Sequence, residues 1–153
     1  MKKAKIFKII VLLAVIVIGY MVYLWFMPHR NVQSTKAFAT IEATNLVNEF
    51  LIDNDKANSL YLDSEGESKV LIVSGIIANI SIDQLGQQVV LLKNPSDKMG
   101  VSCTFIIETN EQIENLKIGD AVNIKGVIRS GAEYDEDLDL AENVILEKCA
   151  IVV

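Results

Sequence analysis

Histidine is almost missing from this 153-residue chain, in which His29 is the only one. Histidine is the side chain best suited to act as a general base near neutral pH, so its scarcity leaves little support for acid–base catalysis. The sequence also has no glycine-rich phosphate loop, no HExxH pair, no nucleophile elbow and no paired metal-ligand motif. We therefore expect a protein that is not an enzyme and that has no catalytic residues, no cofactor and no bound metal.

Acidic residues are missing from the first thirty residues, which carry four lysines and one arginine. All twenty Asp and Glu lie in residues 31–153 together with only nine basic residues, a formal charge of −11. Such a surface repels phosphate polyanions, because nucleic-acid affinity depends on neutralising phosphates with Lys and Arg. Nucleic acid is therefore an unlikely partner. The basic residues Lys93, Lys98, Lys125 and Arg129 are scattered among acids.

Charge of either sign is missing from residues 9–27, a run of nineteen. As a helix this run would span roughly 28 Å, close to the thickness of a bilayer's hydrocarbon core. Residues 1–8 form a basic stub, and positive charge favours the cytoplasmic side. The sequence thus predicts a single-pass anchor in the cytoplasmic (inner) membrane. The N-terminus would lie inside the cell, and the C-terminal domain outside the cytoplasm.

A cleaved secretory signal is the main alternative to this signal anchor. The apolar region of such a signal is usually about 7–15 residues long, shorter than the run seen here. Residues 37–39 have the small-x-small form of a cleavage site but lie ten residues beyond the run. No cysteine follows the run, which excludes lipoprotein processing at this position. We therefore expect an uncleaved membrane anchor, then a linker over residues 28–36 and an extracytoplasmic domain over residues 37–153.

The domain begins with a helical pattern. From residue 37, apolar side chains recur at three- and four-residue steps, which predicts an amphipathic helix. Its apolar positions include Phe38, Ile41, Leu46, Val47 and Phe50.

Beyond residue 66 the chain is rich in β-branched residues, and the pattern predicts five strands. Gly75 lies in the middle of the long first strand, which favours a bend or a close backbone approach. Between the third and fourth strands, Thr109 and Gln112 have the spacing of a capping box, and Gly119 suits a helix exit. The predicted strands are residues 69–82, 87–93, 100–108, 120–129 and 143–153.

This order of elements predicts a mainly β fold. A long bent first strand and a short helix between the third and fourth strands are features of the five-stranded Greek-key barrel called the OB-fold. The fold class is therefore an OB-fold barrel preceded by an amphipathic helix and an N-terminal transmembrane helix. A flat sheet with helices on one face stays open, because periodicity alone does not exclude it.

Residues 43–153 resemble the exported tRNA-anticodon-binding-like (tRNA_anti-like) OB-fold proteins of bacteria. The resemblance lies in short motifs that mostly encode barrel packing, and it implies an OB-fold with no catalytic residues. The family name records structural similarity to anticodon-binding domains and does not imply tRNA binding. The motifs are Val70-x-x-Val73-x-Gly75, Val101-x-Cys103-x-Phe105, Leu116-x-x-Gly119-Asp120-x-Val122-x-Ile124-x-Gly126 and Leu146-x-x-Cys149.

Two loops are the candidate ligand-binding segments, because OB-folds bind through the loops after strands one and four and through the face of strands two and three. Here these loops are residues 82–86 and 130–139. A calcium loop is a weaker alternative for the second, because Leu140 and Leu146 occupy its glycine and glutamate positions. The candidate side chains are Asp83, Gln84, Glu133, Tyr134, Asp135, Asp137 and Asp139.

Cys103 and Cys149 are the only cysteines. In an OB barrel the third and fifth strands are neighbours, so the two side chains could lie opposite each other, and an exported domain sits in an oxidising compartment. The sequence therefore predicts a candidate disulfide, with two buried free thiols as the alternative. Cys103 is in phase with Val101 and Phe105 and should point inward. Glu147 shares the face of Cys149 in a regular strand, which favours a bulge there.

The expected function is that of a membrane-anchored binding module. Its ligand would be a protein partner in the envelope or a small polar or cationic molecule. Two other classes stay open: a binder of single-stranded nucleic acid or oligosaccharide, and a structural subunit of an envelope complex. An electropositive groove would favour nucleic acid, and a large exposed apolar patch would favour a constitutive partner.

Overall fold

The computed structural model describes residues 2–25, 31–64 and 66–152. The chain divides into two compact units, residues 1–30 and residues 31–153. The first unit contains helix α1, Lys2–Trp25. Among the described residues, no helix is both long and apolar enough to cross a bilayer. Residues 26 and 27 of the predicted anchor and residues 28–30 of the predicted linker lie outside the described residues.

The second unit is a closed five-stranded barrel. Its strands are β2 (Val70–Ile82), β3 (Gln88–Leu92), β4 (Val101–Phe105), β5 (Ala121–Ser130) and β8 (Val144–Ile151). They pair in the order β2-β3-β4-β8-β5, and β5 pairs back to β2. All neighbouring barrel strands are antiparallel except β4 and β8, which are parallel. This arrangement agrees with the predicted OB-fold.

The barrel interior is filled by the inward residues of every strand. Leu71 and Val73 of β2, Val101 of β4 and Leu146 of β8 are all fully buried. Helices α2 (Ala43–Ile52) and α3 (Asn54–Tyr61) precede the barrel and add to the same core. At roughly 1.5–3 kcal/mol for each large apolar side chain removed from water, this core holds the barrel closed.

The sequence pattern predicted a helix from residue 37, but residues 37–42 are not helical. Residues Ala39–Glu42 form strand β1, which pairs in parallel with β2, and the helix begins only at Ala43. Phe38 and Ile41 fit a helical step, but the alternating burial of residues 39–42 follows a strand. Pairing with β2 decides the outcome, because tertiary contacts override a short local pattern. The predicted linker residue Val32 is buried with Val70 and Val127, so residue 32 packs against the barrel.

Of the two roles expected for Gly75, a bend or a close approach, the structure shows the close approach. A Cβ added at Gly75 would lie 3.2 Å from Cβ of Ala43, at the start of α2. The predicted short helix is a 3₁₀ helix, Ile107–Ile113, and the expected capping box does not form. Thr109 Oγ1 instead donates to the Cys149 carbonyl, and Gln112 Oε1 accepts from the Ile151 N–H. Both side chains therefore tie the 3₁₀ helix to β8.

Candidate ligand-binding cleft

The β2–β3 loop (residues 83–87) is a tight turn organised by Asp83. Its carboxylate accepts hydrogen bonds from the Leu85 and Gln87 N–H groups at 2.8 and 2.9 Å. Asn110 of the 3₁₀ helix donates to the Gly86 carbonyl at 3.0 Å. The loop thus packs against the 3₁₀ helix, and Gln84 is exposed at its turn.

The predicted acidic loop contains a short hairpin, formed by β6 (Glu133–Asp135) and β7 (Leu140–Glu142). Glu133 lies directly opposite Glu142, so two like charges face each other across the hairpin, an arrangement that costs stability. Asp135 accepts from the Asp137 and Leu138 N–H groups and closes the turn between the strands. No three acidic, cysteine or histidine side chains of the described residues are grouped to hold a metal ion.

The two candidate loops lie at opposite ends of β3 and β4. The β2–β3 loop adjoins the end of the pair where Val89 faces Thr104, whereas the other end joins Leu92 to Val101. Val101 is also paired with Val144, the first residue of β8, which lies two residues after the end of the hairpin. At about 3.3 Å per residue, strand length alone separates the two ends by roughly 10 Å. The structure therefore does not bring Asp83 and Gln84 together with the hairpin residues.

The hairpin instead borders a cleft of about 480 Å³. Three segments build it: helix α2, the β3–β4 loop (residues 93–100) and the hairpin. Its lining combines apolar and polar side chains. The lining residues are Thr44, Val47, Asn48 and Leu51 from α2, Asp97, Lys98 and Met99 from the loop, and Tyr134 and Glu136 from the hairpin.

Hydrogen bonds fix the β3–β4 loop to the first turn of α2. Thr44 Oγ1 donates to Asp97 Oδ2 at 2.6 Å and accepts from Asn94 Nδ2 at 2.9 Å. Each of these side chains is partly buried, and a charge-assisted bond of this length is stronger than a neutral one. One wall of the cleft is therefore pre-organised.

The opposite wall carries the Tyr134 side chain. Lys98 Nζ lies 4.4 Å from the Tyr134 ring centroid and donates to its hydroxyl at 3.2 Å. The same hydroxyl donates to Asp139 Oδ1 at 2.6 Å. The hydrogen bond to Tyr134 raises the pKa of Lys98, and the nearby charges of Asp139 and Glu136 act in the same direction. Lys98 therefore stays protonated at neutral pH.

Phe50 connects α2 to the start of the hairpin segment. A Cβ added at Gly131 would lie 2.2 Å from Cδ1 and 2.3 Å from Cε1 of the Phe50 ring, so the ring rests directly on the Gly131 backbone. Phe50 is 1% exposed and packs beside Tyr61 at a centroid distance of 5.9 Å. This contact sets the spacing of two walls of the cleft.

Cys103 and Cys149 are both fully buried, and both are free thiols in this structure. Cys103 points inward with Val101 and Phe105, as its phase predicts. The expected bulge is present in β8, where Lys148 has φ of 54° and the register with β5 shifts. Burial raises the pKa of the Cys149 thiol, and a hydrogen bond with Cys103 adds to the effect. The two side chains are therefore neighbours, and the disulfide stays a prediction.

Sequence reasoning identified Tyr134 and Asp139 and missed the other two walls of the cleft. Thr44 and Asn48 lie within the predicted amphipathic helix, where polar side chains indicate an ordinary solvated face. Asp97 and Lys98 lie in a turn-forming stretch after Pro95. The only signal in the sequence is the polar Asn94-x-x-Asp97-Lys98 cluster, which does not indicate a neighbouring helix.

The comparisons with known proteins agree with this architecture. The tRNA_anti-like family model matches residues 1–138, a range that includes helix α1 and ends within the β6–β7 hairpin segment. Comparison with the curated proteins finds no match.

Among solved structures, this chain is similar to a lipoprotein of Klebsiella pneumoniae that is provisionally described as nucleic acid-binding. The identity is 18% and the TM-score 0.53, over 74% of this chain and 91% of that chain. At this identity the likeness shows the fold alone. The family match covers most of the sequence and confirms the resemblance seen in its motifs: the chain belongs to the tRNA_anti-like family.

Proposed function

We propose that this chain is a membrane-anchored OB-fold module outside the cytoplasm, without catalytic activity of its own. The module binds an envelope protein or a small polar or cationic ligand in the cleft between α2, the β3–β4 loop and the hairpin. The observation that carries the proposal is the cleft itself, which is lined by hydrogen-bonded polar side chains, the Tyr134 side chain and three apolar residues. Concave sites of this volume with a few placed polar groups are the usual binding sites of proteins.

The charge of the domain supports a cationic or neutral ligand over an anionic one. Residues 31–153 carry a formal charge of −11, and Asp97 and Glu136 line the cleft with Lys98 as the one basic residue among its described walls. A negative field of this kind attracts cations and slows the approach of polyanions.

The anchor is supported by the sequence of residues 9–27. This uncharged run of nineteen follows four lysines, the charge bias of a segment whose N-terminus stays in the cytoplasm. The similar Klebsiella protein is a lipoprotein, whereas this chain has no cysteine after its apolar run. In this chain a transmembrane helix would provide the membrane attachment that a lipid provides in a lipoprotein.

Binding of single-stranded nucleic acid is the second candidate, and the description of the Klebsiella protein favours it. The described residues of β3 and β4 offer no outward aromatic ring, since Phe105 is fully buried. Three basic side chains of the domain have intramolecular partners: Lys98 with Tyr134, Lys125 of β5 with the Gln33 carbonyl at 2.8 Å, and Arg129 of β5 with Glu147 at 3.4 Å. We therefore expect no measurable affinity for single-stranded DNA or RNA at physiological salt. Salt-sensitive binding with a defined site size would favour this candidate instead.

Crosslinking in intact cells, followed by identification of the captured molecules, tests the proposal. Asp97→Lys combined with Glu136→Lys should abolish capture of the specific partner, because both reversals lie in the cleft. The control is Glu111→Lys with Glu114→Lys, an equal charge change on the exposed part of the 3₁₀ helix region. Equal capture by both double variants would contradict a binding role for the cleft.

A further inference from the structure

The chain's own lysine already occupies part of the cleft. Lys98 Nζ lies over the Tyr134 ring at 4.4 Å and within hydrogen-bonding distance of its hydroxyl. An ammonium group over an aromatic face is attracted by the negative charge of the ring, and the attraction strengthens as water is removed. The ring and hydroxyl of Tyr134 thus already bind one ammonium group in this structure.

The surroundings of Tyr134 are negative. The Tyr134 hydroxyl donates to Asp139 Oδ1 at 2.6 Å, so its oxygen is oriented to accept from a cation, as it does from Lys98. Glu136 lines the same cleft, and its charge acts on Lys98 together with that of Asp139. We call Tyr134, Glu136 and Asp139 the cation cradle.

Lys98 is a weak occupant of the cation cradle. Its side chain is exposed, so the contact competes with water and is easily broken. The apolar residues Val47, Leu51 and Met99 line the same cleft as the cradle. These apolar side chains suit the methylene stem of an incoming side chain, because long cationic side chains bury their stems and keep the charged group in polar surroundings.

We propose that the ligand presents a primary ammonium group on an alkyl stem, which displaces Lys98 from the cation cradle. The inference rests on the proposed function, since it assigns the ligand chemistry of the same cleft. An alkylamine molecule and a lysine side chain of a partner protein share this chemistry. Lys98 acts as an internal competitor that lowers the apparent affinity.

The test uses the full-length chain in detergent micelles with ¹³C-labelled methionine methyl groups. Met99 lines the cleft, whereas Met21 in α1 serves as an internal control. The probes are acetyl-Gly-Gly-Lys-Gly-Gly-amide, the same peptide with norleucine in place of lysine, and n-butylamine. The lysine peptide should shift the Met99 signal in a saturable manner and leave Met21 unchanged, and the norleucine peptide should shift neither. If n-butylamine binds as well as the lysine peptide, the ammonium alone is recognised; tighter binding of the peptide indicates a protein partner.

Two pairs of substitutions separate binding in the cation cradle from general electrostatics. Lys98→Gln should tighten binding of the lysine peptide by roughly threefold, because the internal competitor is gone. Lys117→Gln removes the same charge from the loop after the 3₁₀ helix and should leave the affinity unchanged. Tyr134→Leu should weaken binding by about tenfold, and Tyr134→Phe, which keeps the ring, should weaken it less.

Three results would overturn the inference: equal shifts with the norleucine peptide, no shift with either amine, or equal effects of Lys98→Gln and Lys117→Gln. An equal response to the norleucine peptide would show a cleft that binds without preferring cations, so the proposed function would stand. The proposed function fails separately, through partner capture in cells that is insensitive to charge reversal in the cleft.

Discussion

At the residue scale, the Tyr61 hydroxyl links α3 to α2. It donates to Glu49 Oε2 at 2.7 Å, and its ring lies in the core beside Phe50. Burial, reinforced by the hydrogen bond and the charge of Glu49, raises the pKa of Tyr61 to about 12 from its usual 10.0. The residue Tyr61 is 4% exposed, but Glu49 is exposed, so solvent screens part of the effect of its charge.

This pKa predicts a loss of stability in alkali. Below pH 10 the Tyr61 hydroxyl is protonated in both the folded and the unfolded state, so its full contribution to stability is present. As the pH rises from 10 towards 12, the unfolded state ionises first, so the free energy of unfolding falls, by at most about 1.3 kcal/mol between pH 9 and pH 11. Urea unfolding at several pH values measures the effect. Tyr61→Phe removes the ionisable group and should flatten this part of the profile; an unchanged profile would contradict the assignment.

The two buried cysteines give a second prediction at this scale. Their side chains are neighbours, and the proposed location is oxidising, so we expect Cys103 and Cys149 to be joined in protein isolated from the envelope. The bond would close a loop of about 46 residues and stabilise the domain by roughly 2–4 kcal/mol. Thiol labelling of unfolded, unreduced protein should then find no free thiol, and labelling after reduction should find two. Two labelled thiols before reduction would rule out the bond.

At the element scale, the contact between Phe50 and Gly131 joins α2 to the segment that leads into the hairpin. Gly131→Ala should destabilise the domain by about 1–3 kcal/mol, because the new methyl group would overlap a ring that has no room to move. Urea unfolding measures this loss. Phe50→Leu also costs stability, but it opens space beside residue 131, so the double variant should lose less than the sum of the two single changes. Strictly additive losses would show that the contact does not couple the two elements.

The five barrel strands could be predicted from the sequence because each buries a regular set of apolar residues. In β4, Val101, Cys103 and Phe105 alternate with polar residues, and all three are fully buried. Strand β1 and the hairpin could not be predicted in this way. Strand β1 has four residues, and its pairing depends on β2, which lies elsewhere in the chain. Strands β6 and β7 pair locally but have three residues each and bury none of them, so no apolar alternation marks them.

The cleft was beyond sequence reasoning for the same physical reason. Thr44 and Asp97 are 53 positions apart, and Tyr134 follows 37 positions after Asp97. Local periodicity reports which side of an element is buried and not which elements meet. Only the closed barrel, with α2 packed at one end, brings these three residues to one surface.

At the scale of the whole molecule, the uncharged run and the lysines before it predict the topology. A reporter that is active only outside the cytoplasm, fused after residue 153, should be active, and a carbonate wash should leave the full-length chain in the membrane fraction. A matched reporter that is active only in the cytoplasm should be silent. Activity of the cytoplasmic reporter would contradict the orientation, and a shortened soluble product would contradict the anchor.

The central claim is that the cleft, and not the β2–β3 loop at the other end of the barrel, is the binding surface. The most direct test places a photo-crosslinking amino acid at Asn48 in one variant and at Leu85 in another. Both positions are exposed, but Asn48 lines the cleft, whereas Leu85 lies in the β2–β3 loop. Irradiation of intact cells should give a discrete adduct from position 48 that is lost when Tyr134 is replaced by Leu, and no adduct from position 85. An adduct from position 85 alone would contradict the account.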